Sequence, residues 1–258
     1  MKTLILFILL VLTVQAQNIW YVDANATGAN TGRSWTDAWN YFDSSGWAGT
    51  GGINWAIIGS GDTIYVSGGT DTTFYTPALG ANNTYGLWIS PAVAVTVPGN
   101  PAVVTPAWHE GHNGKVIIAT TTANEQNLLR IRNVANIKFV DLTFMDFRTA
   151  NRSGLVSIGD DSNQDIDYTD NIHIDRCTFL GASFGSLLHL EGDGMVVSNS
   201  WFEQPLSEEP ADSDPITTFF CGDLLIEHNV IIQRNIKIGT YAHRDMIQMG
   251  YFNKGTEA

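Results

Sequence analysis

NIKFVDLTF (136–144), NIHIDRCTF (171–179), GMVVSNSWF (194–202) and DLLIEHNVI (223–231) lie over one another without a gap. In each, the second, fourth, seventh and ninth residues are those a core would take. They are Ile137, Phe139, Leu142 and Phe144, then Ile172, Ile174, Cys177 and Phe179. Met195, Val197, Ser200 and Phe202 follow, and last Leu224, Ile226, Asn229 and Ile231. Side chains alternate across a strand, so an apolar period of two marks strand. The switch from even to odd positions after the fourth residue demands a turn, which splits each segment into two short strands. The segments recur every ~30 residues, the spacing of units that bury their apolar faces on one another.

A second repeat runs ahead of the first: LLRIRN (128–133), LVSIGD (155–160), LLHLEG (187–192), PITTFF (215–220) and MIQMGY (246–251). Its inward pairs are Leu129/Ile131, Val156/Ile158, Leu188/Leu190, Ile216/Thr218 and Ile247/Met249. Each unit then carries three short strands, and stacking lays every strand parallel to its equivalent about 4.8 Å away. Parallel pairing through a continuous winding is expected to be right-handed. A leucine-rich repeat, the rival solenoid, needs a leucine-dominated consensus that this chain does not show. The fold read from the sequence is all-β, a right-handed parallel β-helix with three short strands per coil.

The flanks complete that expectation. In SWTDAWNYF (34–42), Ser34 and Asp37 form a helix-start pattern, and Trp35, Ala38, Trp39 and Phe42 fall on one helical stripe. This predicts a short amphipathic helix within an N-terminal cap over 17–61, where it would cover open strand edges. The stripe could instead stack sugars, but a helix must bury something. The β-helix is expected over 62–258. MIQMGYF opens a fifth coil that NKGTEA does not complete, so the sequence reads as a fragment of a longer protein, or its open end pairs with another subunit. Residues 1–16 combine an early lysine, the run LILFILLVLTV, and Val14 and Ala16 ahead of a cut near Gln17. The run is too short to span a membrane and reads as a secretory signal peptide.

Beyond the coils, IWYVDANATGANTGRSW (19–35), GDTIYVSGGT (61–70), HEGHNGKVII (109–118), LIEHNVIIQ (225–233) and HRDMIQ (243–248) carry a resemblance. The chain resembles the right-handed parallel β-helix superfamily that includes pectate lyases and many uncharacterised secreted bacterial proteins. The resemblance covers essentially all of the mature chain and implies the architecture. Because that superfamily hosts lyases, hydrolases, epimerases, adhesins and tailspikes, fold does not choose an activity.

Composition bounds the partners. A net charge of −13 argues against nucleic acid and anionic membrane, and mildly against an acidic polysaccharide unless calcium bridges the two. Hydrophobic content of 44% with 25 glycines fits a turn-rich globular chain and not a disordered one. The two cysteines read as unpaired, Cys177 as a buried ladder residue and Cys221 as a loop thiol.

Chemistry is expected on outward positions. One column holds Arg130, Ser157, His189, Thr217 and Gln248, and the next Arg132, Gly159, Glu191, Phe219 and Gly250. Asp214 and Asp245 precede equivalent strands on neighbouring coils, where paired carboxylates can share a proton, hold a cation or act as acid and base. The candidate catalytic residues are Asp214, Asp245, His243, His189 and Arg130, and the candidate substrate contacts are Glu191, Gln248, Phe219 and Tyr241. In pectate-lyase-like enzymes this sheet and its turns form the substrate groove, which the resemblance implies here. A lyase needs a base and a cation to neutralise the sugar carboxylate, and Arg130, Arg132 and Arg244 are the nearby cations. The plainer reading of the aspartates is a turn residue bonded to its own backbone. Gly159-Asp160-Asp161 resembles a polygalacturonase motif, but that family's other motifs are missing. The loop DDSNQDIDYTDN (160–171) alternates Asp161, Asn163, Asp165 and Asp167, oxygen ligands suited to calcium, though a solvated acidic loop is the simpler account. Trp88, Trp108, Phe219, Phe220 and Tyr241 could stack on sugar faces or be buried. Two functions stay open: a secreted polysaccharide lyase or glycoside hydrolase, and a non-catalytic surface or matrix module displaying a binding face.

Overall fold

The computed structural model describes residues 17–43, 51–76, 87–91, 93–119, 128–146, 155–159, 169–181, 186–204, 214–219, 221–233 and 246–250. Among them the strands form three parallel sheets that the chain visits in rotation. Sheet 1 runs Ile19–Val22, Thr63–Val66, Ala102–Pro106, Ile137–Val140, Ile172–Asp175, Met195–Ser198 and Leu224–Glu227. Sheet 2 runs Thr72–Tyr75, Lys115–Ala119, Thr143–Met145, Thr178–Leu180, Trp201–Gln204 and Val230–Gln233. Sheet 3 runs Leu87–Ile89, Leu129–Ile131, Val156–Ile158, Leu188–Glu191, Ile216–Phe219 and Ile247–Gly250. A small pair, Val95–Thr96 with Val134–Ala135, joins sheet 3 to sheet 1 along the chain. Every pairing is parallel, and the arrangement is compatible with a β-helix. The one helical piece among the described residues is the 3-10 turn Trp55–Ile57, and no helix there is long and apolar enough to cross a membrane.

The change of parity within each repeat has a backbone cause. The sixth residues, Asp141, Arg176, Asn199 and His228, all sit in the left-handed region, with φ of 56, 52, 53 and 54°. One left-handed residue between two strands turns the chain from sheet 1 to sheet 2 and resets which positions face inward. The first residues Asn136, Asn171 and Gly194 are left-handed as well, at 65, 54 and 69°. Glycine and asparagine tolerate this conformation; for arginine and histidine it costs about 1–2 kcal/mol, which surrounding structure must offset.

The inward set forms the core. Ile137, Phe139, Leu142 and Phe144, with Ile172, Ile174, Cys177 and Phe179, are all within 1% of full burial. Phe144, Phe179 and Phe202 stack with centroids 4.9 and 4.6 Å apart and planes 19 and 5° apart. That spacing is the separation of neighbouring strands, so in-register pairing sets the ring contact. Leu224, Ile226 and Ile231 pack only partly against this core. Met249, expected to point inward, is 72% exposed on the last described strand, where pairing comes from Ile216–Phe219 on one side alone among the described residues.

Polar side chains at inward and turn positions answer backbone groups. Ser200 Oγ accepts from Cys177 N at 3.0 Å, and Asn229 Oδ1 accepts from Ser200 N at 2.8 Å. Asn136 Nδ2 donates to the carbonyls of Val97 and Gly99, both at 2.8 Å, and its Oδ1 accepts from Asn171 Nδ2. Asp175 accepts from Lys138 Nζ (2.9 Å), Arg176 Nη1 (2.8 Å), Ser198 Oγ (3.0 Å) and Asn199 Nδ2 (2.9 Å). Burial alone would raise its pKa, but these donors outweigh it and hold the carboxyl at about 2. Both cysteines are free. Burial pushes Cys177 up to about 12 and Cys221 to about 11, so neither is a thiolate at neutral pH.

The N-terminal stretch departs from expectation. Residues 34–42 form turns and bends, not a helix. The Ser34–Asp37 side-chain contact and the Asp37 N–H to Ser34 Oγ bond are both present at 3.1 Å. However, the Thr36 and Asp37 carbonyls that a helix would use accept from Gly28 N and Gly32 N. Trp39 N donates to Tyr21 O, and Trp39 O accepts from Asp23 N. Long-range backbone bonds thus take the groups that helical bonds would need. The stripe is nonetheless mostly core, with Ala38, Trp39 and Phe42 at 0, 2 and 1% exposure. Ile19–Val22, from the segment expected as a cap, pairs in register with Thr63–Val66 inside sheet 1. Asp62 fixes that junction, accepting from Trp20 Nε1 and Asn18 N (both 2.7 Å) and Gly59 N (2.8 Å). Burial opposes ionisation of Asp62, yet these bonds bring its pKa below the usual range.

Candidate functional site

In Leu188–Glu191 the alternation turns Leu188 and Leu190 into the core and leaves His189 and Glu191 on the other face. Pairing along sheet 3 then sets positions Trp88, Arg130, Ser157, His189, Thr217 and Gln248 in one row across six strands. A second row brings Glu191, Phe219 and Gly250 together. Parallel neighbours are about 4.8 Å apart, so the first row spans about 24 Å.

His189 is engaged at both ring nitrogens. Its Nδ1 lies 2.8 Å from Thr217 Oγ1 and its Nε2 lies 3.3 Å from Glu191 Oε1, while Thr217 Oγ1 lies 2.8 Å from Ser186 Oγ. The neutral tautomer that satisfies both neighbours carries its proton on Nε2, donates to Glu191, and accepts the Thr217 hydroxyl proton at Nδ1. Hydroxyl, imidazole and carboxylate thus stand in the order used to activate a nucleophile. Thr217 is only 5% exposed, so its hydroxyl is not presented to a polymer. As it stands, the chain of bonds orients His189 and Glu191. Phe219 is tilted against the His189 ring at 5.4 Å.

Other expected residues are placed differently. Asp214 is 2% exposed and engaged within the protein, so it does not offer a free carboxylate on the surface. Its expected partner Asp245, with His243, Arg244 and Tyr241, lies outside the described residues, as does Phe220. The acidic set Asp161, Asn163, Asp165 and Asp167 also lies outside them. Among the described residues no group of three or more His, Cys, Asp and Glu is placed to hold a metal ion. On sheet 1, Asn171, His173, Gly194, Met195, Asp223 and Leu225 help to line a shallow open depression. There burial first, and then the Lys138 ammonium, lowers the pKa of His173.

A second group of rings was not anticipated as a cluster. Tyr21 and Tyr65 are cross-strand partners on sheet 1. The 34–39 stretch brings in Trp35, and the loop after Ala102–Pro106 brings in Trp108, His109 and His112. Tyr21 meets Trp35 edge-on at 4.5 Å, Trp35 stacks on His112 at 3.8 Å, and Trp108 stacks on His109 at 4.2 Å. His112 Nδ1 is 2.9 Å from Ser67 Oγ and 3.2 Å from Asp23 Oδ2. A relay needs hydroxyl and carboxylate on opposite ring nitrogens. Here both meet Nδ1, so Ser67 and Asp23 hold the ring in place. The sequence marked Tyr21 and Tyr65, each flanked by inward residues in IWYV and TIYV, and Trp108 as a residue that could stack on a sugar, but nothing in it brought these residues together. No family model, curated protein or solved structure matches the chain.

Proposed function

We propose that the chain is a right-handed parallel β-helix of the pectate-lyase-like kind, secreted to the cell exterior or surface, and that it binds an extracellular polysaccharide along the outward face of sheet 3. The observation that carries this reading is the unbroken row from Trp88 to Gln248. It brings Arg130, Ser157, His189 and Gln248 into register along the sheet, with Thr217 buried among them, which suits a polymer of repeating units. Rotation of the chain through three parallel sheets supports the winding, and the secretion-like leader supports the location. His189 lies within the row and is the group we assign to contact with sugar hydroxyls, held from behind by the buried Glu191 of the neighbouring row.

The test is affinity electrophoresis of the purified protein in gels containing neutral and acidic plant, algal and bacterial polysaccharides, with reducing-end and unsaturated-end assays on the same mixtures. Retardation by at least one polysaccharide, lost in the His189→Ala/Gln248→Ala double variant, is the expected result. Equal retardation of the double variant and the wild type would remove sheet 3 as the binding face. Release of new chain ends, abolished by His189→Ala, would make the same face that of a lyase or hydrolase.

A further inference from the structure

Trp108 is 71% exposed, yet it is not loose. One face of its indole stacks on His109 with planes 22° apart, and Nε1 donates to Tyr65 OH at 3.1 Å. His109 is in turn wedged edge-on against Trp35 (5.9 Å) and Tyr65 (5.2 Å). Trp35 and His112 consume each other's faces, lying 3.8 Å apart and 9° from parallel. The rings therefore do not surround a void as an aromatic cage does. They buttress one another and leave a single broad open face, that of Trp108. A lone exposed side chain is ordinary; Trp108 differs because His109 and Tyr65 hold its indole flat and its edge is lined by hydrogen-bonding groups. The rim is at hand. Tyr65 OH accepts from Trp108 and keeps its own proton to donate. Binding of His112 Nδ1 to Ser67 and Asp23 leaves Nε2 as that ring's second polar atom.

We propose that Trp108 is the platform of a second carbohydrate site, on sheet 1 and its flanking loops, which takes a neutral pyranose. The apolar C–H face of the sugar lies on the open indole face, while Tyr65 OH and His112 bond its hydroxyls. A flat face with hydrogen-bonding groups at its edge matches a ring that is apolar on its faces and polar on its rim. The sign of the nearby charge selects a neutral sugar. Asp23 is the carboxyl group in contact with the cluster, and the chain carries a net charge of −13, so a uronate is disfavoured. The absence of a cage disfavours a quaternary ammonium ligand, which needs several ring faces turned towards it.

Isothermal titration with neutral hexasaccharides of glucose, xylose, mannose and galactose tests this, with tetramethylammonium chloride as the cationic control. At least one hexasaccharide should bind the wild type. Trp108→Ala should weaken that affinity about tenfold or more, and Trp108→Phe should retain most of it. The variants should unfold at the wild-type temperature, because Trp108 lies at the surface. His189→Ala, on sheet 3, should leave this affinity unchanged, which separates the site from the row proposed above. The inference is overturned if no hexasaccharide binds, if Trp108→Ala binds as the wild type does, or if tetramethylammonium binds and competes. Loss on His189→Ala with none on Trp108→Ala would likewise overturn it while leaving the sheet 3 reading intact.

Discussion

Asn136 carries two burdens, a left-handed backbone and three side-chain hydrogen bonds that tie neighbouring passes of the chain. Alanine there meets the left-handed penalty of about 1–2 kcal/mol and loses bonds worth about 1 kcal/mol each. Asn136→Ala should therefore cost about 4–5 kcal/mol in urea unfolding, and Asn136→Gly about 1–2 kcal/mol less than that. A glycine variant no more stable than the alanine would show that backbone conformation is not the constraint. Asp175 makes a pH prediction. Its folded pKa of about 2 lies below the ordinary aspartate value near 3.9. A depressed acid stabilises the fold above its unfolded pKa, and that contribution fades as pH falls from about 4 towards 2. The side chain is only 6% exposed, so solvent screening removes little of it, and the contribution is about 2 kcal/mol. Asp175→Asn should lower stability by about that much at pH 7 and flatten the loss between pH 4 and 2. A variant whose acid limb keeps the wild-type slope would assign that limb to other carboxylates.

The paired strands were legible because alternation is local: a residue's side is fixed by its parity, whatever lies far away. Even the parity switch could be read, since Asp141, Arg176, Asn199 and His228 all occupy the sixth position. What failed was SWTDAWNYF, where the apolar stripe favoured a helix but the amides of Gly28 and Gly32, just upstream, took the Thr36 and Asp37 carbonyls. Trp39 was drawn off as well, its N–H and C=O bonded to Tyr21 and Asp23 at the first strand, and the helical period within residues 34–42 reports neither competitor. The stack of Phe144, Phe179 and Phe202 provides the test of packing at this scale. Phe179 touches a ring on either side, so truncation leaves a cavity walled by two aromatic faces held at strand spacing. Phe179→Ala should cost about 3–5 kcal/mol, read as a lowered urea midpoint at unchanged slope. Phe179→Leu, which refills part of the volume, should cost less; equal losses would mean that the ring contact, and not the volume, is what matters.

Across the whole molecule, charge separates the two kinds of glycan that a face like sheet 3 could take. The row was legible because strand register follows from the repeat, but the Trp108 cluster was not, because two loops of unrelated sequence build it. At −13 the protein repels an anionic polymer at long range. Salt screens that repulsion over about 10 Å at 0.1 M ionic strength. Affinity for a neutral polysaccharide should therefore stay constant within about twofold as ionic strength rises from about 0.01 to 0.15 M, whereas affinity for an acidic one should increase as repulsion is screened. The opposite trend, an acidic polymer held tightly at low salt and released at high salt, would require a local cationic site to outweigh the global charge. Among the described residues Arg130, on sheet 3, and Arg132, just after its strand, are the cations able to form one, so Arg130→Gln would then weaken the salt dependence. Titrating one neutral and one uronate-bearing polysaccharide at both ionic strengths decides between these outcomes, and with them whether the binding face follows the sign of the molecule or reverses it.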